Sequence, residues 1–451
     1  MEIKKRYIIE AVAVLIALGV IAFLGWRKMA VIFYNRGIDH YDRGEYSESI
    51  QYLQRALGID PDNTKIHYTL ANAYIQTEDQ DKAIQEYKRT LELSGDYAPA
   101  YLNLAQLYLN RQAYEQLFEI IVQAKENDRF TDELAEVFRD ATFQYASDHV
   151  SMGIEALMSN NRKQGYVYLE KAIKIDPDFA YPSYVAGFFY YRDQDYQRAR
   201  ELAQDAIKID SRFGAAYKLL GDIQFCQRDF PAAIQEYGMA LQFNYINPYL
   251  QNDLALALME EGEYQDALRH AKAAVGALPE NVNMLYNLAC LYRDNADTQS
   301  AISEFNRLIA GHPDYPNAHN DLADIYLSVG RTSDAEKAYL KEIEYASVKL
   351  SSDPKDAVAL NSLARGYNGV KKYELARGFA QDAIKNMPNY REAYVTLAKI
   401  QENLGDPKGA QVTLKQGESI TAKAKYIPQA VISLDDIILD QNYTVGIDGL
   451  K

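Results

Sequence analysis

The stretch Pro248 to Asn281, PYLQNDLALALMEEGEYQDALRHAKAAVGALPEN, decides how the rest of the chain is read. Apolar residues recur in it at helical spacing on both sides of Gly262, so it reads as two amphipathic helices joined at a glycine turn. Stepping 34 residues at a time from Ala267 lands on Ala233 and Ala199 going back, and on Ala301 and Ala335 going forward. The position twelve residues earlier holds Gly187, Gly221, Ala255, Ala289 and Ala323, all small. Two helices approach closely only where side chains are minimal, so the two series mark where the first helix (A) of each unit meets the second (B).

The unit, with Leu254, Ala255, Gly262, Tyr264, Ala267, Ala274 and Pro279 in place, resembles the tetratricopeptide repeat. The resemblance implies an all-α fold, a right-handed superhelix of about eleven helix-turn-helix repeats. One such unit cannot bury its own apolar face, and its neighbours must do so.

The register extends both ways. Repeats one to three occupy residues 30–131, with Gly37, Gly44, Ala56, Ala71, Ala83, Ala105 and Ala124 in step. Between Leu117 and Gly165 the spacing is 48 residues, which is 34 plus 14. Fourteen residues are close to four helical turns, so residues 132–145, with Leu134, Val137, Phe138, Ala141 and Tyr145 at helical spacing, read as an added helical joint. Repeats four to eleven follow at 146–424. Ala335 to Ala376 is 41 residues, seven over the period, and this two-turn insertion predicts a longer second helix in repeat nine, through Tyr345 to Leu350, with the extra residues near 350–356. Residues 425–451 leave the pattern and carry Val431, Ile432, Leu434, Ile437, Ile438 and Leu439 around Asp435 and Asp436. They read either as a cap on the last repeat or as a segment that binds a partner or fills the groove.

Residues 1–29 form a separate element. Ile8 to Trp26 is apolar except for Glu10, and 19 residues at roughly 1.5 Å each span the hydrocarbon of a bilayer. Lys4, Lys5 and Arg6 precede it, and Arg27 and Lys28 follow. The expectation is a single-pass transmembrane signal-anchor helix with a cytoplasmic N-terminus, which places the repeats in the periplasm of a bacterial inner-membrane protein. The rival readings are a signal peptide cut near Gly19 or Ala22, and a pilin-like leader, for which the glycine before the processing site is missing. Glu10, in the first turn of the span, reaches the interface by snorkelling.

The net charge is -15, and the first 28 residues contribute five cations against two acids. The remaining body repels phosphate backbones and contains no run of basic residues, which excludes nucleic acid and favours basic or neutral polypeptides. Cys226 and Cys290 are too few and too far apart for a disulfide framework or a thiolate zinc site. Metalloprotease, esterase-elbow, Walker A and dinucleotide motifs are absent, so no enzyme, no cofactor, no metal and no small-molecule substrate is expected. His67, His149 and His319 fall where other repeats place Phe33, Tyr101, Tyr217 or Tyr394, and read as packing residues.

In the family it resembles, repeat positions two, five, nine and twelve of helix A line a concave groove. Carried over, these positions give Tyr181, Tyr184, Phe188 and Tyr191 from repeat five and Phe225 from repeat six, extended by Ile154 and Leu157 of repeat four. Asn252, Asn320 and Asn361 occupy position five further on, with Asn283, Asn317 and Asn368 nearby. The aromatic set reads as a peptide anchor or as rings covered by neighbouring elements. The amide set reads as a strand-matching surface or as a solvated face. The basic carboxylate clamp of chaperone-binding relatives has no counterpart at Tyr68, Pro99, Leu102 or Asn103, although Asn72 is present.

The resemblance and the anchor together imply a membrane-held scaffold for protein partners in assembly of an envelope machine such as a pilus, a secretion system or a polysaccharide exporter. The alternatives are a cytosol-facing receptor or adaptor, and the regulatory subunit of a membrane enzyme.

Overall fold

A computed structural model describes residues 25–419, and all secondary structure among them is helical. The apolar segment Ile8–Trp26, apart from its last two residues, and the tail at 425–451 lie outside the described residues. So do the readings attached to them. No helix among the described residues is long and apolar enough to cross a membrane.

The chain divides into two compact units at Pro177/Asp178. The first holds α1 (residues 25–42), α2 (Tyr46–Leu57), α3 (Thr64–Gln76), α4 (Gln80–Leu93), α5 (Ala98–Asn110), α6 (Tyr114–Glu126), α7 (Asp132–Met158) and α8 (Arg162–Ile175). The second holds α9 (Ala180–Arg192), α10 (Tyr196–Ile209), α11 (Gly214–Cys226), α12 (Phe230–Gln242), α13 (Pro248–Glu260), α14 (Tyr264–Ala277) and α15 (Val282–Asp294), continuing with α16 (Thr298–Gly311), α17 (Ala318–Ser328), α18 (Thr332–Ser352), α19 (Ala357–Gly369), α20 (Tyr373–Asn386), α21 (Arg391–Asn403) and α22 (Pro407–Glu418). Odd-numbered helices are the A helices and even-numbered ones the B helices, giving eleven pairs among the described residues. Within each unit, every pair packs against the next.

Backbone chemistry sets the pairs. One residue at each A-to-B turn has positive φ: Gly44, Glu78, Gln112, Asn160, Gln194, Arg228, Gly262, Ala296, Gly330, Lys371 and Gly405. Their spacing repeats the sequence period, including its two interruptions. Only four are glycine, and each of the others carries a left-handed cost of about 1–2 kcal/mol. The following N–H offsets it by closing back onto the carbonyl five residues earlier, as in Asp79 to Tyr74, Glu263 to Leu258 and Asp297 to Tyr292, all 2.8–2.9 Å. Asp79, Asp195, Asp229, Asp297 and Asp406 then cap the B helix with a carboxylate oxygen on the backbone N–H three residues on.

The small-residue series lies where A meets B. Ala199, Ala233, Ala267, Ala301 and Ala335 are fully buried. A methyl group added at Gly221 would lie 2.5 Å from the Tyr237 ring. The fourteen added residues are the first half of α7, one helix of 27 residues that runs on as helix A of repeat four. The second insertion lengthens α18 to 21 residues.

Candidate partner-binding groove

The repeat register places a groove at one end of the second unit. Positions two, five, nine and twelve of helix A in repeats nine to eleven contribute Asn317, Asp324 and Leu327 from α17 and its N-cap, all four residues Val358, Asn361, Arg365 and Asn368 from α19, and Glu392, Val395 and Lys399 from α21. They line a cavity of about 950 Å³. Leu327, Met387 and Val395 present apolar surface, and each is 37% exposed or more. Amides form a row across it: Asn403 Nδ2 donates to Asn368 Oδ1 at 2.8 Å, and Asn361 Nδ2 reaches the Tyr390 hydroxyl at 3.5 Å. The Asn361 carbonyl oxygen is buried and has no hydrogen-bond partner among the described residues.

The charge of this groove runs against that of the whole chain. Arg365, Lys371, Arg391 and Lys399 line it against Asp324 and Glu392. Arg365 is committed inward, at 2.8 Å from Asp321 Oδ1 and 3.1 Å from Asp324 Oδ2, with Arg293 at 3.3 Å from the same Asp321 oxygen. Burial alone would raise the Asp321 carboxyl. The Arg365 and Arg293 guanidinium groups, with the Tyr286 hydroxyl donating at 2.7 Å, outweigh it and hold the carboxyl below its ordinary value. Lys371 and Lys399 remain exposed to a ligand. The sequence expectation of basic or neutral partners rested on net charge, an average over the chain that does not describe one concave face.

The aromatic expectation fails on burial. Tyr181, Tyr184 and Phe188 of α9 and Phe225 of α11 are buried, and Tyr191 is half-buried. Their rings cover one another: Tyr184 meets Phe213 edge-on at 5.2 Å, Phe188 meets Phe189 at 5.4 Å, and Phe225 meets Phe230 at 5.2 Å. Rings of this size bury about 150–250 Å² each when neighbours are within reach, and here they are. The Tyr191 hydroxyl lies 3.4 Å from Cys226 Sγ. Leu157 is buried in the first unit, against Gly165.

Neither reading of the amides describes Asn252 and Asn320, which are buried links between helices. Asn252 accepts from Asn287 at 2.9 Å and donates to Asp253 at 3.2 Å, while Asn320 donates to the Ser362 carbonyl at 3.0 Å. Only Asn361 of the three lines the groove. The histidines sit in packed slots. His67 and His319 reach the carbonyls of Pro61 and Pro313, six residues back, at 2.8 and 3.0 Å. Tyr101, Tyr217 and Tyr394 make the same contact to Gly95, Ser211 and Pro388, which explains why His and Tyr interchange there.

Sequence reasoning passed over positions five and nine of repeat six, Lys218 and Asp222. Both are buried in the second unit. Lys218 Nζ lies 2.8 Å from Asp222 Oδ2 and 3.1 Å from Asp253 Oδ2, and the Tyr237 hydroxyl donates to Asp222 at 2.9 Å. Burial pushes the Asp222 carboxyl up to about 7; Lys218 opposes this and Asp253 adds to it. The signal was present as a Lys and an Asp four apart in an otherwise apolar helix, GAAYKLLGDIQFC.

The tetratricopeptide repeat family matches residues 40–89, 190–247, 252–316 and 286–357. The TPR repeat-containing protein YpiA of Bacillus subtilis is 25% identical over 236 residues, 50% of each chain. The type IV pilus assembly protein PilF of Pseudomonas aeruginosa is 24% identical over 166 residues, 37% of this chain and 61% of PilF. The chain thus spans about half to three-fifths of the length of these relatives. The crystal structure of yeast Tom70 aligns over 93% of this chain and 96% of its own at 18% identity, with a TM-score of 0.41. Eleven helix pairs on one register, each with its left-handed turn residue, agree with the family matches: the chain belongs to the tetratricopeptide repeat superfamily and has the fold of a protein-interaction scaffold.

Proposed function

We propose that this chain is a membrane-anchored, non-catalytic scaffold. It takes extended, acidic polypeptide segments into the groove of repeats nine to eleven and holds them for assembly of a bacterial envelope machine. The observation that carries this reading is the groove itself. Its volume of about 950 Å³ suits a peptide of several residues, and it combines exposed apolar side chains with a row of amides and two exposed lysines. Asparagine amides offer both a donor and an acceptor, as a strand backbone does, and apolar side chains at Leu327 and Val395 provide anchoring points. A second copy of this chain could present such a segment as readily as a different protein.

The membrane part rests on the sequence of Ile8–Trp26 and on the start of α1. There Trp26 and Val31 are 59% and 58% exposed, Met29 and Ile32 are exposed beside them, and Arg27 and Lys28 flank the ring. Aromatic and cationic residues at the end of an apolar segment suit an interface. The name of the relative PilF supports an envelope setting.

The test places a photocrosslinking residue at Val395 in the full-length protein in its native cells, with a control at Leu375 on α20, which does not line the groove. Partner adducts at position 395 that disappear with Lys399→Glu support the reading. Equal adducts at both positions, or none at either, reject the groove. Protease treatment of spheroplasts tests the topology: repeats cut from the outer side support a periplasmic scaffold, and repeats protected until lysis reject it.

A further inference from the structure

We infer that, without a partner, the groove of repeats nine to eleven is filled by this chain's own C-terminal segment, residues 426–451. The inference rests on the groove being the docking surface proposed above. It adds that the surface is self-occupied.

Three observations meet on this segment. The first is place. The helix α21, which supplies Glu392, Val395 and Lys399 to the groove, belongs to the last repeat, and α22 packs against it and ends at Glu418. Twelve steps separate Ser419 from Val431. An extended chain covers roughly 40 Å in that length, several times the roughly 10 Å diameter of a helix. The apolar part of the segment therefore reaches any point of the groove.

The second is charge. After Pro428 the segment carries Asp435, Asp436, Asp440 and Asp448 against Lys451 alone. The groove exposes Lys371 and Lys399, on a chain whose net charge is -15. A cationic concavity on an acidic protein is complementary to an acidic segment tethered beside it, and repels little of it.

The third is chemistry. The run from Val431 to Leu439 places Ile437, Ile438 and Leu439 directly after the Asp435–Asp436 pair, and the groove sets Leu327, Met387 and Val395 beside Lys399. Tethering raises the effective concentration of the segment to the millimolar range. An incoming partner must compete with it, so its apparent affinity is lower than that of the emptied groove.

The test uses the full chain with Val395→Cys and Ile437→Cys and a short bismaleimide. The native Cys290 is buried and Cys226 half-buried. The expected result is a crosslink within one molecule, located by mass spectrometry, whose yield drops roughly fivefold or more when Lys371 and Lys399 become Glu. It recovers in part when Asp435 and Asp436 are also changed to Lys. Crosslinks formed only between two molecules overturn the inference in favour of a second copy's segment. Absence of any 395–437 crosslink, or a yield indifferent to the lysines, overturns it as well. Partner adducts at Val395 are scored separately, so they can persist when self-occupancy fails.

Discussion

Repeats five to seven and repeat eleven put different residues at positions five and nine of helix A, and these end in opposite states. In the middle repeats Tyr184, Lys218 and Asn252 share position five, Phe188 and Asp222 share position nine, and all five are buried. In the last repeat Val395 at position five and Lys399 at position nine are exposed and line a cavity. Register assigns a residue to the inner stripe. Whether the stripe is a surface or a core depends on the size and pairing of what stands on it. Rings reach across to rings and a lysine reaches two carboxylates, while short amides and an exposed valine leave space.

The contrast is sharpest at two lysines. Replacing Lys218 with Met leaves Asp222 and Asp253 buried without their cation, and the expected loss of stability is about 3–5 kcal/mol, read from urea denaturation. A loss below about 1 kcal/mol would mean the middle stripe is solvated after all. Next in size, Gly221→Ala pushes a methyl group into the Tyr237 ring and should cost about 1–3 kcal/mol, detectable as faster hydrogen exchange in α11 and α12.

The buried carboxylate also predicts a pH dependence. The folded-state value of Asp222 is raised from 3.8 to about 7, so the folded chain holds this proton more tightly than the unfolded chain. Its contribution to stability is complete below about pH 4, declines as pH rises, and is lost above about pH 7. Asp222→Asn should flatten that slope in urea midpoints taken at pH 5 and pH 8, and an unchanged slope would assign it to other groups. The smallest expected effect is at the second lysine: Lys399→Met should shift stability by no more than about 0.5 kcal/mol while weakening groove adducts. If it destabilises as Lys218→Met does, the groove is core.

Much of the fold was readable because its causes are local. The alanine and glycine series at 34-residue intervals records where backbones approach, and the His or Tyr at one helix A position records a hydrogen bond to a carbonyl six residues back. The stripe rule picked out Asn361, with Asn317 and Asn368 beside it, and all three line the cavity. It failed at Tyr181, Tyr184, Phe188 and Phe225 because covering a ring requires partners such as Phe213 and Phe230. No residue in the stripe itself announces them. Net charge describes no single face for a similar reason, since the cations that line the cavity, Arg365, Lys371, Arg391 and Lys399, come from two helices and a turn.

The sequence by itself determined the repeat, its count, its two insertions and the positions that face inward, because helix period, turn geometry and close packing act over a few residues. Only the tertiary structure decided which inward positions close and which open, because burial and pairing depend on side chains about 30 to 45 residues apart, such as Lys218 with Asp253 and Arg365 with Asp321.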